Sequence, residues 1–211
     1  QTLAAALLPR RHAIPSAEAR LFQVEEGVQV LCHCHWQAQR REAATLVLLH
    51  GLEGSSDAQY VLGTAGKAWA AGMNVVRMNM RNCGGTERLA PTLYHSGLSS
   101  DLGAVVAELI REDKLDRIFL AGFSMGGNIT LKLAGEWGGE APPEVRALAA
   151  VSPAMDLAAC AAALHRPANR LYEWNFLWGL KRRLRTKARL FPGRYETQGL
   201  ARLGSVRDFD D

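Results

Sequence analysis

The sequence holds no run approaching the ~20 consecutive apolar residues of a membrane span, so nothing in its 211 residues reads as a spanning helix. Cysteine is scarce. Cys32, Cys34, Cys83 and Cys160 are too few and too irregularly spaced for a disulfide scaffold, which makes a reducing, cytoplasmic setting the expectation. No internal repeat and no low-complexity linker interrupts the chain. A large excess of one charge is lacking too: the net is +4, and much of the excess sits in the single run Lys181 to Arg189. One basic patch beside aromatics gives little support to a nucleic-acid partner. Residue 1 is not methionine, and no basic region precedes the apolar start Gln1 to Leu8, so the chain is expected to be a piece of a longer one, cut at both ends. What remains is the composition of one soluble domain, 48% hydrophobic and 22% charged, with ample material for a core.

Residues 19 to 36 alternate like two strands turned at Glu25-Glu26-Gly27. Thr45 to His50 is a short unbroken apolar run, as suits a strand buried on both faces. Tyr60, Val61, Thr64, Ala65, Ala68 and Trp69 recur at helical spacing, with Gly72 where a helix C-cap would stand. Strands are then predicted at Met73 to Asn79, Ile118 to Ala121 and Val145 to Val151, and helices at Leu98 to Ile110 and Ile129 to Trp137. This alternation predicts an α/β fold with a doubly wound, mostly parallel sheet. Beyond Pro153 the rhythm stops. Asp156 to Leu164 and the segment from Leu171 through the basic run read as helices, and about 156–200 is expected to be a helical cap within a single domain over 1–211.

Gly122-Phe123-Ser124-Met125-Gly126 fits G-x-S-x-G, the sharp strand-to-helix turn that exposes a serine oxygen above a sheet. It follows a predicted strand and opens a predicted helix, so Ser124 is the candidate nucleophile. His50-Gly51-Leu52-Glu53-Gly54 follows an earlier buried strand, where this architecture places one oxyanion donor, the other being the Met125 N–H. His50 reads as an orienting residue of that loop rather than a base.

Four segments carry a family resemblance: His50 to Ser56, Asn79 to Glu87, Tyr94 to Gly97, and Gly122 to Asn128. Together with Gln1-Thr2-Leu3, Ser152-Pro153, Asp156-Leu157 and the closing Asp208-Phe209-Asp210-Asp211, they resemble the YheT-like branch of the α/β-hydrolases along the whole chain. The resemblance implies an esterase-type enzyme on lipid-like esters, with Ser124 as nucleophile and the Leu52 and Met125 amides as oxyanion hole. It also implies that the acid and the base lie on loops after later strands, beyond Asp211, so that the C-terminal strands of the sheet are missing.

Five histidines, His12, His33, His35, His50 and His95, precede Ser124, and only His165 follows it. Asp156 and His165 stand in the order Ser, Asp, His, but on one helix their Cα atoms would be ~13 Å apart. Asp156 is better read as an N-cap and His165 as a C-terminal cation. Cys32-His33-Cys34-His35 invites a zinc reading, yet on a strand the thiols face one way and the imidazoles the other. No metal and no cofactor is expected.

The sequence thus reads as a serine hydrolase of medium or long acyl esters working through an acyl-enzyme, the isolated chain being weak or inactive. An alcohol acceptor would make it an acyltransferase, and a non-catalytic lipid-binding or interaction module is the alternative of another class. The partners expected are a small ester and, through the amphipathic segment 171–189, a membrane surface.

Overall fold

The structure, a computed structural model, describes residues 13 to 210. The readings on Gln1 to Leu3, His12 and Asp211 lie outside the described residues. Six strands form one sheet: β1 (Glu18–Glu25), β2 (Val28–His35), β3 (Thr45–Leu49), β4 (Asn74–Met78), β5 (Ile118–Phe123) and β6 (Val145–Val151), in the order β1-β2-β4-β3-β5-β6. β4, β3, β5 and β6 run parallel, while β2 joins β4 antiparallel and carries β1 as a hairpin.

Chain direction reverses after β4. The crossover from β3 to β4 runs one way, whereas those from β4 to β5 and from β5 to β6 run the other. Right-handed crossovers then place their helices on opposite faces. Accordingly α1 (Gln59–Ala70) packs Val61, Ala65 and Ala68 against Leu48 and Val75 on one face. On the other face α2 (Ser99–Arg111) and α3 (Met125–Trp137) bury Leu102, Val105, Ile129 and Leu133 against Val47, Leu49, Val76 and Met78. Alternate residues of one strand serve the two cores, which is why β3 reads as a continuous apolar run. The crevice at the carboxyl ends of β3 and β5, where the order reverses, is where such sheets bind ligands.

Several boundaries differ from the sequence reading. α3 begins at Met125, four residues before Ile129, because the turn at Ser124 feeds straight into it. The segment from Leu171 through the basic run forms a single helix, α5 (Arg170–Leu190), following α4 (Leu157–Leu164) and a short 3₁₀ turn. A last short helix, α6 (Val206–Asp210), was not foreseen. Gly72, at φ 80°, does follow the end of α1. Cys32 and Cys34 lie in the core, while His33 bonds the Ser56 hydroxyl at 2.8 Å and His35 accepts from Arg77 at 3.2 Å on the opposite face. Among the described residues no helix is long and apolar enough to cross a membrane.

Candidate active site

Ser124 follows the last residue of β5 and immediately precedes α3. Its backbone, at φ 52° and ψ −119°, is one that a side-chain-bearing residue adopts only when its surroundings force it. The forcing is visible. A Cβ on Gly122 would lie 2.2 Å from the Gly126 carbonyl oxygen, and a Cβ on Gly126 would lie 2.3 Å from that of His50. Only glycine lets these backbones pass. The Ser124 N–H donates to the Val151 carbonyl at 2.9 Å, so the turn is also tied to the end of β6. Its side chain is exposed, above the crevice.

The loop after β3 is held from several directions. His50 is fully buried, and its Nδ1–H donates to the Gly51 carbonyl at 2.7 Å while its Nε2 accepts from the Met80 N–H at 3.1 Å. Burial first, and the Arg183 charge beside it, push its pKa down to about 4 despite the bond to Gly51. It is therefore a neutral strut with both nitrogens engaged. Gly51 N–H donates to the Tyr60 hydroxyl at 3.0 Å, Glu53 N–H to the Tyr94 hydroxyl at 3.0 Å, and Gly54 N–H to the Gly51 carbonyl at 3.0 Å. Among the described residues no acceptor meets the Leu52 amide. Met125, first residue of α3, likewise carries one of the orphan N–H groups of a helix start.

Leu52, Ser124 and Met125 line one cavity of about 610 Å³, roofed by Leu157, Leu164 and Phe176. His95 lines it too, with Nδ1 accepting from Gly97 N–H at 3.2 Å, so it both borders the cavity and closes a turn. No described residue hydrogen-bonds the Ser124 hydroxyl. Asp156 caps α4 by accepting from Ala159 N–H at 2.8 Å, and His165 ends that helix, paired at 3.2 Å with Glu173 of α5. Among the described residues no hydrogen bond joins Ser124, Asp156 and His165. Cys83 is buried, and burial pushes its thiol up to about 12, which removes it as a nucleophile. Among the described residues no group of histidines, cysteines and carboxylates could hold a metal.

Sequence reasoning missed the clamp above the loop. Glu53 accepts from the Tyr94 hydroxyl at 2.7 Å and from Arg183 of α5 at 2.9 and 3.2 Å, and Gly179 leaves the room this carboxylate fills. Arg183 had been read only as part of a basic run. Asp101, in the first turn of α2, is buried in a two-pronged pair with Arg81 at 2.6 and 2.7 Å. No pattern in the sequence marks either partner.

This architecture, a mostly parallel sheet with a glycine-hemmed serine at the end of an interior strand, is that of an α/β hydrolase. Residues 44–205 match the α/β hydrolase fold family, to which the chain belongs. YheT of Escherichia coli (strain K12), a candidate esterase, is 33% identical over 177 residues, covering 82% of this chain and 51% of its own length. Phospholipase ABHD3 of Mus musculus is 29% identical over 167 residues, 79% of this chain and 40% of that protein. These relatives agree with the YheT and abhydrolase-domain branch. The chain spans about half, or less, of the length of the curated relatives it matches. Among solved structures, the esterase Pf2001 of Pyrococcus furiosus superposes at a TM-score of 0.64 with 21% identity, over 89% of this chain and 66% of its own. A serine hydrolase homologue from Coxiella burnetii gives 0.55 at 26% identity, over 68% and 66%.

Proposed function

We propose that the chain carries the nucleophile half of a carboxylic ester hydrolase, with Ser124 attacking the acyl carbon. The observation that carries this reading is the forced conformation of Ser124 beside two amides, Leu52 and Met125, that have no partner of their own. Attack forms the Ser124 Oγ–acyl bond as the carbonyl π bond opens, and in this reading the negative charge on the carbonyl oxygen is met by those two amides. Removing one such donor costs on the order of 3 kcal/mol of barrier. The alcohol leaves with a proton, and water then releases the acid. A general base has to take the serine proton, and the reading draws it from outside the described residues.

The helices α4 and α5 act as a cap in this proposal, and their apolar lining favours an acyl chain over a polar substrate. No cofactor is called upon. The test is hydrolysis of nitrophenyl esters of graded acyl length by the 211-residue chain, with and without added imidazole as a diffusible base. Slow turnover that imidazole raises, and that Ser124→Ala removes, is the expected result. Turnover or rescue indifferent to Ser124→Ala would overturn it.

A further inference from the structure

The basic run in α5 divides. Arg183 turns inward to Glu53, and Lys187 is fully buried, donating to the carbonyls of Glu87 and Ala90. The other arginines face out. At 100° per residue, Leu171, Trp174, Trp178, Arg182, Arg185 and Arg189 fall within about 80° of arc on the helix, and all six are exposed. Leu171, Trp174 and Trp178 are 73%, 67% and 52% exposed, whereas large apolar side chains on a soluble helix normally cover a core. Here the core-facing side is already supplied: Leu177 is buried and Phe176 and Leu180 line the cavity. The stripe is therefore a second apolar face on the same helix, running into a cationic end, with the Arg182 guanidinium 5.1 Å from the Trp178 ring.

We infer that this outward stripe of α5 docks on an anionic lipid surface. Tryptophan has an apolar body and a polar N–H, which suits it to the headgroup boundary. Arginine retains its charge there and is drawn to acidic headgroups. Charge complementarity commits the stripe to lipid of negative charge, since Arg166 and Arg170 add exposed cations at its other end and the stripe itself holds no acidic residue. Met155, 68% exposed, and Leu157, 46% exposed and lining the cavity, are further exposed apolar side chains of the cap. Docking would lay α5, the roof of the acyl cavity, on the layer that contains acyl chains. That purpose rests on the ester-hydrolase reading, but the docking itself does not.

The test is sedimentation of the 211-residue chain with phosphatidylcholine vesicles, with and without phosphatidylglycerol, at low and high salt. Tryptophan emission is followed in parallel. Binding only to the phosphatidylglycerol vesicles, weakened by salt and accompanied by a blue shift, is expected. Each arginine near the surface is worth roughly fivefold in binding, so Arg182→Gln, Arg185→Gln and Arg189→Gln together should weaken it by about 100-fold. Trp174→Ser with Trp178→Ser should remove the blue shift, while the matching three Arg→Lys changes should preserve binding. Ser124→Ala should bind as the parent does, so loss of the hydrolase reading and loss of this one are separate results. No binding, binding equal for both vesicle types, or a stripe that instead joins two copies and is disrupted by the tryptophan changes would overturn the inference.

Discussion

The floor of the site and its roof are held by different forces. Around Ser124 backbone meets backbone, with glycine at the contacts and β3, β4 and β5 buried on both sides. The roof has no such packing. α4 buries none of its residues, and α5 buries only Glu173, Leu177, Gly179 and Lys187 along 21 residues. Its ties are polar: Arg183 to Glu53, Lys187 to two loop carbonyls, and Glu173 to His165 and the Val206 N–H. A floor fixed by steric exclusion has one geometry. A roof fixed by a few charged ties opens when one tie is cut, because few buried apolar contacts lower the cost of local opening.

The hardest blow to the floor is Gly126→Ala. Its Cβ would fall 2.3 Å from the His50 carbonyl oxygen and 2.7 Å from that of Leu49, both main-chain atoms that cannot rotate aside. We expect a loss of about 4 kcal/mol or more in urea unfolding, at the diagnostic end of single substitutions. The slow ester turnover that added imidazole raises should vanish with it. Retention of both would mean that the turn is softer than its contacts imply.

Arg183→Ala tests the roof. It leaves the Glu53 carboxylate, 13% exposed, without its cation, and breaking one side of a buried pair costs about 3 kcal/mol. The loss should be local. Amide exchange should accelerate in α5 and in the loop 51–54 while β3 and β5 stay protected. Equal acceleration in the strands would show that floor and roof unfold as one unit, and the contrast drawn above would fail.

A pH titration separates them another way. His50 is held near 4 in the fold against about 6.5 in the unfolded chain. Its folded value is the lower one, so between these values the unfolded chain binds the extra proton and stability falls as pH falls through that window. Fully protonated, His50 would cost on the order of 3 kcal/mol. His35, also held near 4 by burial and by Arg77, adds to the same slope. Thermal unfolding should therefore show an acid arm from about pH 6.5 to 4 that is shallower in His50→Gln. An unchanged slope would mean that His50 is not buried as a neutral strut.

Much of the floor was legible in the sequence because it is local. Strand β5, Ser124 and helix α3 are consecutive, and the pentapeptide marks both glycines of the turn, Gly122 meeting Gly126 within it and Gly126 meeting the end of β3. The split of Cys32 and Cys34 from His33 and His35 follows from the period of a strand alone. The roof was legible only as helix. Arg183 lies 130 residues from Glu53 and Lys187 lies 97 from Ala90, so no periodicity could show that two members of one basic run turn inward while their neighbours face water. Tyr60 was read as part of a helix stripe, and its hydroxyl proved to hold the Gly51 amide.

The smallest expected effect has the opposite sign. Ser124→Gly removes the nucleophile but also relieves a residue held at φ 52°, where glycine sits without penalty. Such strain costs on the order of 1 kcal/mol, and it persists because the surrounding backbone overdetermines it. The variant should unfold at slightly higher urea than the parent, while Ser124→Ala, which keeps the Cβ and therefore the strain, should not. A gain in Ser124→Gly alone would assign the stored energy to the backbone at this residue, spent to hold its oxygen above the crevice. An equal gain in both variants would assign it to the hydroxyl instead, and the turn would then be a relaxed one.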